Sequence, residues 1–126
     1  MEYQELTQRI IGCAYRVYNT LGFGFLESVY EKALLIELSK IPLQAESQKP
    51  IQVFYNNILV GEFVADVLVE GTIIVELKPV RTLAATHEVQ LVNYLTATGK
   101  PVGLLINFGE KTVEVRRKVK QLIKSK

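Results

Sequence analysis

Residues 63–78 read "FVADVLVEGTIIVELK", two apolar runs joined by Glu70 and Gly71, each with one carboxylate in its interior. Short runs rich in Val and Ile, broken by a Gly-containing turn signal, are the strands of a hairpin. Asp66 and Glu76 are therefore acids in strands built for burial, where an ionised carboxylate is costly unless it is paired or bound to a cation. Lys78 follows Glu76 by two residues, and the strand period of two puts both on one face. Whether Asp66 joins them depends on register. A two-residue turn pairs Val69 with Thr72 and points Glu76 away from Asp66. A three-residue turn through Thr72, with Gly71 left-handed, pairs Val69 with Ile73 and Asp66 with Glu76. The second arrangement, or a bulge with the same effect, is predicted.

Working outward, the preceding strand is "PIQVFY" (50–55), with Asn56 and Asn57 as the turn into "ILVGEFVADVLV" (58–69) and Gly61 as the mark of a bulge. Three consecutive antiparallel strands result, the third being "TIIVELK" (72–78), stopped by Pro79. Ahead of them lie two helices. Leu6, Ile10, Ala14, Val17 and Leu21 recur at helical spacing up to Gly22. "LESVYEKALLIELSK" (26–40) is apolar around more than half its circumference and is closed by Pro42. Within it Glu27 shares a stripe with Tyr30, Leu34 and Leu38, so this acid belongs to an inward-facing surface. After the strands, "TLAATHEVQLVNYLTAT" (82–98) forms a third helix with Thr82 as N-cap and Gly99 as stop. "VGLLINF" (102–108) is then a buried strand, and "TVEVRRKV" (112–119) is either an edge strand or the start of a last helix. The order predicts an α/β sandwich with a mixed sheet, the third helix acting as the crossover between parallel strands.

The 126 residues, 48% of them hydrophobic, suit one domain spanning 1–126. No apolar run approaches the roughly 20 residues that cross a bilayer, and no signal-peptide layout opens the chain, so a soluble cytoplasmic protein is expected. One cysteine and one histidine exclude an internal disulfide and the usual zinc spacings, leaving oxygen ligands for any metal. The net charge of +2 argues little by itself. Its surplus is concentrated in "KTVEVRRKVKQLIKSK" (111–126), which suits either a phosphate-facing surface or a solvated tail.

The ordered set Asp66, Glu76, Lys78, framed by a helix with a leading glutamate and a helix carrying "QLVNY", resembles the PD-(D/E)xK nuclease superfamily. "GFLESVY", with Gly24, Glu27 and Tyr30, is similar to the signature of the GxxExxY proteins placed in that superfamily, and "VELK", "HEVQLVNYL" and "GLLINFG" extend the likeness over most of the chain. The resemblance implies a restriction-endonuclease-like α-β-β-β-α-β core. It implies a divalent cation, Mg²⁺ or Mn²⁺, held by Asp66, Glu76 and the backbone carbonyl of Leu77, with Glu27 joining as the helix glutamate does in RecB-like branches. Lys78 would orient the attacking water and stabilise developing charge. Gln90 and Tyr94, spaced i to i+4, resemble the "QxxxY" element of those branches; Gln90 would bond a phosphate, a water or a carboxylate, and Tyr94 would steady the network. The implied partner is nucleic acid, DNA ahead of RNA, with a homodimer as one arrangement and no membrane. For each residue a plain structural role stands beside this one: Glu27 at a helix start, Tyr94 in the core, Gln90 on the surface, His87 satisfied or exposed. A non-catalytic module that binds nucleic acid or protein on the same fold is the second reading of the whole chain.

Overall fold

The computed structural model describes residues 3–120. Eight elements follow one another: α1 (Gln4–Leu21), α2 (Glu27–Lys40), β1 (Ala45–Tyr55), β2 (Ile58–Val69), β3 (Ile73–Lys78), α3 (Ala85–Thr98), β4 (Val102–Phe108) and β5 (Val113–Val119). The strands form one sheet in sequential order, β1-β2-β3-β4-β5. Every neighbouring pair is antiparallel except β3 and β4, which run parallel across the α3 crossover. The sheet is thus mixed, as the strand-helix-strand order requires. "TVEVRRKV" resolves as an edge strand.

Two cores cover the two faces. On one, Ile10, Cys13, Ala14 and Val17 of α1 and Tyr30, Leu34 and Leu38 of α2 pack on Val67, Val69, Val75, Leu77, Leu104 and Ile106. On the other, Leu91, Tyr94 and Leu95 of α3 pack on Ile51, Ala65, Leu68, Ile74 and Leu105. All seven residues of β4 are buried, because it lies between β3 and β5 with α1 on one face and α3 on the other. Gly103 is the point of closest approach: a Cβ there would stand 2.7 Å from Leu91 Cδ1.

The hairpin register is the predicted one. Val69 pairs with Ile73, Leu68 with Ile74 and Val67 with Val75. Glu70 and Gly71 are both left-handed (φ 53° and 66°) and Thr72 N–H closes the turn on the Val69 carbonyl at 3.0 Å. Glu70 holds this conformation because Gln44 answers it twice: Glu70 N–H bonds the Gln44 carbonyl, and Gln44 N–H bonds Glu70 Oε2. In the β1–β2 hairpin, Val53 pairs with Gly61 and Phe54 with Leu59, so Val60 is the extra residue of a bulge beside Gly61.

Three details differ from expectation. β1 begins at Ala45 rather than at Pro50, because the second half of the long β2 needs a partner and the polar segment 45–49 supplies its backbone. The third helix begins at Ala85 with Ala84 as N-cap. Thr82 caps nothing there: its hydroxyl is engaged by Glu114 Oε2, and Glu114 also accepts from Leu83 N–H and from Asn107 Nδ2. His87 takes the capping task, its Nδ1 accepting the Ala84 N–H at 3.1 Å. The basic run of β5 is partly consumed within the fold, with Arg116 and Lys118 both on Glu88 at 3.3 and 2.7 Å. Lys124 and Lys126 lie outside the described residues.

Candidate functional site

The site begins with the turn between α1 and α2. Gly22 ends α1, and Gly24 adopts φ 117°, a conformation that a residue with a Cβ rarely enters. Tyr30, fully buried and stacked on Phe108 at 4.2 Å, turns its hydroxyl back to this turn, donating to the Gly22 carbonyl and accepting from Phe25 N–H. The connection is thereby fixed, and α2 starts at Glu27. Glycine, glutamate and tyrosine in "GFLESVY" thus have separate physical tasks: bend, present, pin.

Opposite α2, β2 and β3 separate. Their ladder stops at Val67 and Val75, and the next residues exchange side-chain bonds instead. Asp66 N–H donates to Glu76 Oε2 at 3.0 Å, and Leu77 N–H donates to Asp66 Oδ2 at 2.7 Å. Each carboxylate stands in for a backbone carbonyl, so both strands keep their donors satisfied while the acids are drawn into the gap. Asp66 and Glu76 are 8% and 6% exposed.

Glu27 meets Asp66 across this gap, and so does a residue that sequence reasoning missed. A carboxylate oxygen from each of Glu27, Glu31 and Asp66 lies within 4.8 Å of the other two. Glu31 is one helical turn beyond Glu27 on the same face, which is the signal that could have found it. It is buried, and its Oε1 accepts from Gln48 Nε2 at 2.7 Å. Glu76 stands outside this trio and joins it through the Asp66 backbone. Lys78 is half-buried, and its charge is felt by both Glu27 and Glu76.

Burial governs the protonation of these acids. Desolvation, reinforced by the Asp66 carboxylate, pushes Glu76 up to about 8 against the pull of Lys78. The same causes, with a hydrogen bond to Asp66, raise Glu27 to about 7. Desolvation also raises Glu31, opposed by the Gln48 bond. Three carboxyl groups thus converge with Glu76 bonded beside them, and two ammonium groups act on the set, Lys78 on Glu27 and Glu76 and Lys32 on Glu31. The donor set is all oxygen and underneutralised, which is what a hard divalent cation requires.

The remaining predicted residues fall as follows. Tyr94 is buried on α3, its ring stacked on Phe63 at 4.0 Å, and desolvation followed by Glu76 and Asp66 raises its hydroxyl. It therefore belongs to the core and faces the acids at once. Gln90, one turn earlier, is exposed and makes no side-chain hydrogen bond among the described residues. Leu77 is buried between Glu76 and Lys78. A surface groove of about 710 Å³, lined by Lys49, Ile51, Phe54, Ala97 and Lys100 among others, contains none of the four acids. The groups whose pKa values burial raises, Glu27, Glu31 and Glu76, lie in the carboxylate recess and not in that groove, which marks the recess as the candidate site.

Among solved structures the chain is similar to the crystal structure of SSO0001, with a TM-score of 0.60 over 96% of this chain at 16% identity. The chain spans 61% of that protein's length, and the likeness concerns the fold alone. No curated protein sequence matches. A family model described as the PD-(D/E)XK nuclease superfamily matches residues 4–119, from the first turn of α1 to the end of β5 and across the hairpin that carries Asp66, Glu76 and Lys78. With its restriction-endonuclease-like sheet and helices, the chain belongs to the PD-(D/E)XK nuclease superfamily.

Proposed function

We propose that this protein is a nuclease of the GxxExxY type, from the RecB-like branch of the superfamily, acting as one domain over residues 1–126 on phosphodiester bonds of DNA or RNA, DNA foremost. The observation that carries the reading is the convergence of Glu27 and Asp66 from opposite elements, with Glu76 bonded to the Asp66 backbone and Lys78 beside it. Glu27, Asp66, Glu76 and the Leu77 carbonyl would hold Mg²⁺ or Mn²⁺. When bound, such a cation polarises a phosphate oxygen and lowers the pKa of water.

The other steps belong to the chain. Lys78 places a positive charge where the attacking water gathers, orienting it and opposing the charge that develops on phosphorus oxygens. Tyr94, fixed by its stack on Phe63, holds a hydroxyl toward the carboxylates and steadies their hydrogen bonds. Gln90, exposed one turn before Tyr94, would bond a phosphate or a water. A homodimer would present two such sites to the two strands of a duplex.

The test has two arms. Mn²⁺ and Mg²⁺ are titrated calorimetrically into wild type and Asp66→Ala, and cleavage of DNA and RNA is compared between wild type and Lys78→Ala. Metal binding lost in the first variant, with cleavage lost in the second while its fold is retained, is the expected result. Nucleic-acid binding indifferent to both metal and Asp66→Ala would instead make this a non-catalytic module.

A further inference from the structure

Gln48 has φ 54°, and among the described residues it is the one non-glycine residue inside a strand with a left-handed backbone. A glutamine gains nothing locally from that conformation, in which its Cβ crowds the following carbonyl. The reason is found across the sheet. On β1 and β2, Ser47 pairs with Val67 and Lys49 with Ala65, and the intervening Gln48 and Asp66 face each other without a pairing of their own. At this point the side-chain alternation slips on both strands. Ala45, Val67 and Val69 belong to the α1/α2 core, whereas Ile51, Ala65 and Leu68 belong to the α3 core, although strict alternation would place Ala65 with Val67. The register itself does not shift between Ala45–Val69 and Val53–Gly61, and only the Gln48–Asp66 step is skipped. The inverted backbone of Gln48 is the local feature that accommodates the slip, and its result is that the amide reaches α2 and donates to Glu31 Oε1 at 2.7 Å.

We propose that Gln48 is a positioning residue of the cation site, holding the buried Glu31 carboxylate in place beside Glu27 and Asp66. This assigns Glu31 to the site as an acid beyond those that the sequence points to, and it rests on the reading of that cluster as cation-binding. Glu31 sits at the end of a flexible side chain beside two other acids that repel it when ionised. Without the amide, nothing else among the described hydrogen bonds restrains it toward the cluster.

The informative variant is Gln48→Gly, since glycine adopts φ 54° freely and keeps the slip while removing the side chain that carries the amide. Mn²⁺ is titrated into wild type, Gln48→Gly, Glu31→Gln, the double variant and Asp66→Ala, with urea unfolding of each. The expected result is a thermodynamic split: stability of Gln48→Gly close to wild type, the relieved left-handed backbone offsetting the lost bond to Glu31, but Mn²⁺ affinity weakened about tenfold. Glu31→Gln weakens it comparably, and the double variant adds little more. A merely structural glutamine would show the reverse, with stability moved and affinity unchanged. Wild-type Mn²⁺ affinity in Gln48→Gly, with binding still abolished in Asp66→Ala, overturns this inference and leaves the nuclease reading standing. Wild type that binds no Mn²⁺ overturns both.

Discussion

The buried acids make the metal-free protein less stable as pH rises, and the size of the effect follows from Glu76. Its pKa is raised from 4.5 to about 8 in the fold, chiefly by desolvation. Between those values the folded state binds a proton that the unfolded state has released, so stability falls with increasing pH. The contribution is complete below about pH 4.5 and is lost as pH rises through 8. At about 1.4 kcal/mol for each tenfold in proton affinity, Glu76 alone removes roughly 4 kcal/mol between about pH 5 and pH 9. Glu27, raised to about 7 but half-buried, acts in the same direction with a smaller, solvent-screened share. For a chain of this size such a loss lowers the melting temperature by roughly 15 °C.

The acids whose pKa values are lowered by partners, Glu37 with Arg16, Glu88 with Lys118 and Glu114 with Asn107, contribute the opposite slope, but only as pH falls below the ordinary carboxylate value. They leave the window above pH 5 to the site. The assay is urea or thermal unfolding across that window in EDTA, then with millimolar Mg²⁺ or Mn²⁺. The cation binds the ionised cluster, so it should restore the alkaline stability by about 3 kcal/mol at a hundredfold excess over its dissociation constant. Glu76→Gln, which keeps the shape without the charge, should flatten most of the EDTA profile. A wild-type profile that is flat or rising between pH 5 and 9, or a Glu76→Gln profile of wild-type slope, would refute the reasoning.

Three further outcomes are expected. Asp66→Ala leaves the Leu77 N–H without its acceptor and should lose about 1–3 kcal/mol in urea unfolding, whereas Asp66→Asn, which can still accept that bond, should keep most of the stability while losing Mn²⁺ binding in calorimetry. Gly103→Ala drives a methyl into Leu91 at 2.7 Å and should cost about 1–3 kcal/mol by thermal melt as α3 is pushed from β4; an unchanged melt would mean that the helix shifts freely. Tyr94→Phe preserves the stack on Phe63, so stability should stay within about 1 kcal/mol while cleavage falls; unaltered cleavage would reduce Tyr94 to a core aromatic.

Much of the frame was readable because its signals are local. Glu70, Gly71 and Thr72 set the hairpin register, the unbroken apolar "VGLLINF" marked the central strand, and the stripe Glu27-Tyr30-Leu34-Leu38 turned one acid inward. Thr82 was misassigned because its competitor is remote: Glu114, 32 residues away, takes the hydroxyl that would have capped α3. The polar segment 45–49 carries no alternation that would announce a strand and is recruited by β2. Glu31 resembles an ordinary solvated helix acid next to Lys32, and only its i+4 relation to Glu27 hints otherwise.

The strand residues that build the site share one setting. Asp66, Glu76 and Gln48 all lie where the sheet departs from its own regularity: one ladder ends between β2 and β3, and the alternation slips between β1 and β2. A regular sheet spends every backbone donor on a neighbouring carbonyl and sends successive side chains to opposite faces. It therefore has no means of gathering acids from two strands and a helix at one point. Breaking the ladder frees two N–H groups, at Asp66 and Leu77, that the two carboxylates satisfy in place. Breaking the alternation lets a β1 side chain reach α2. The identities of Asp66, Glu76 and Lys78 can be read from a short string, but the convergence of Glu31 and Gln48 on them depends on irregularities in which each strand compensates for the other, and no single stretch of sequence encodes that.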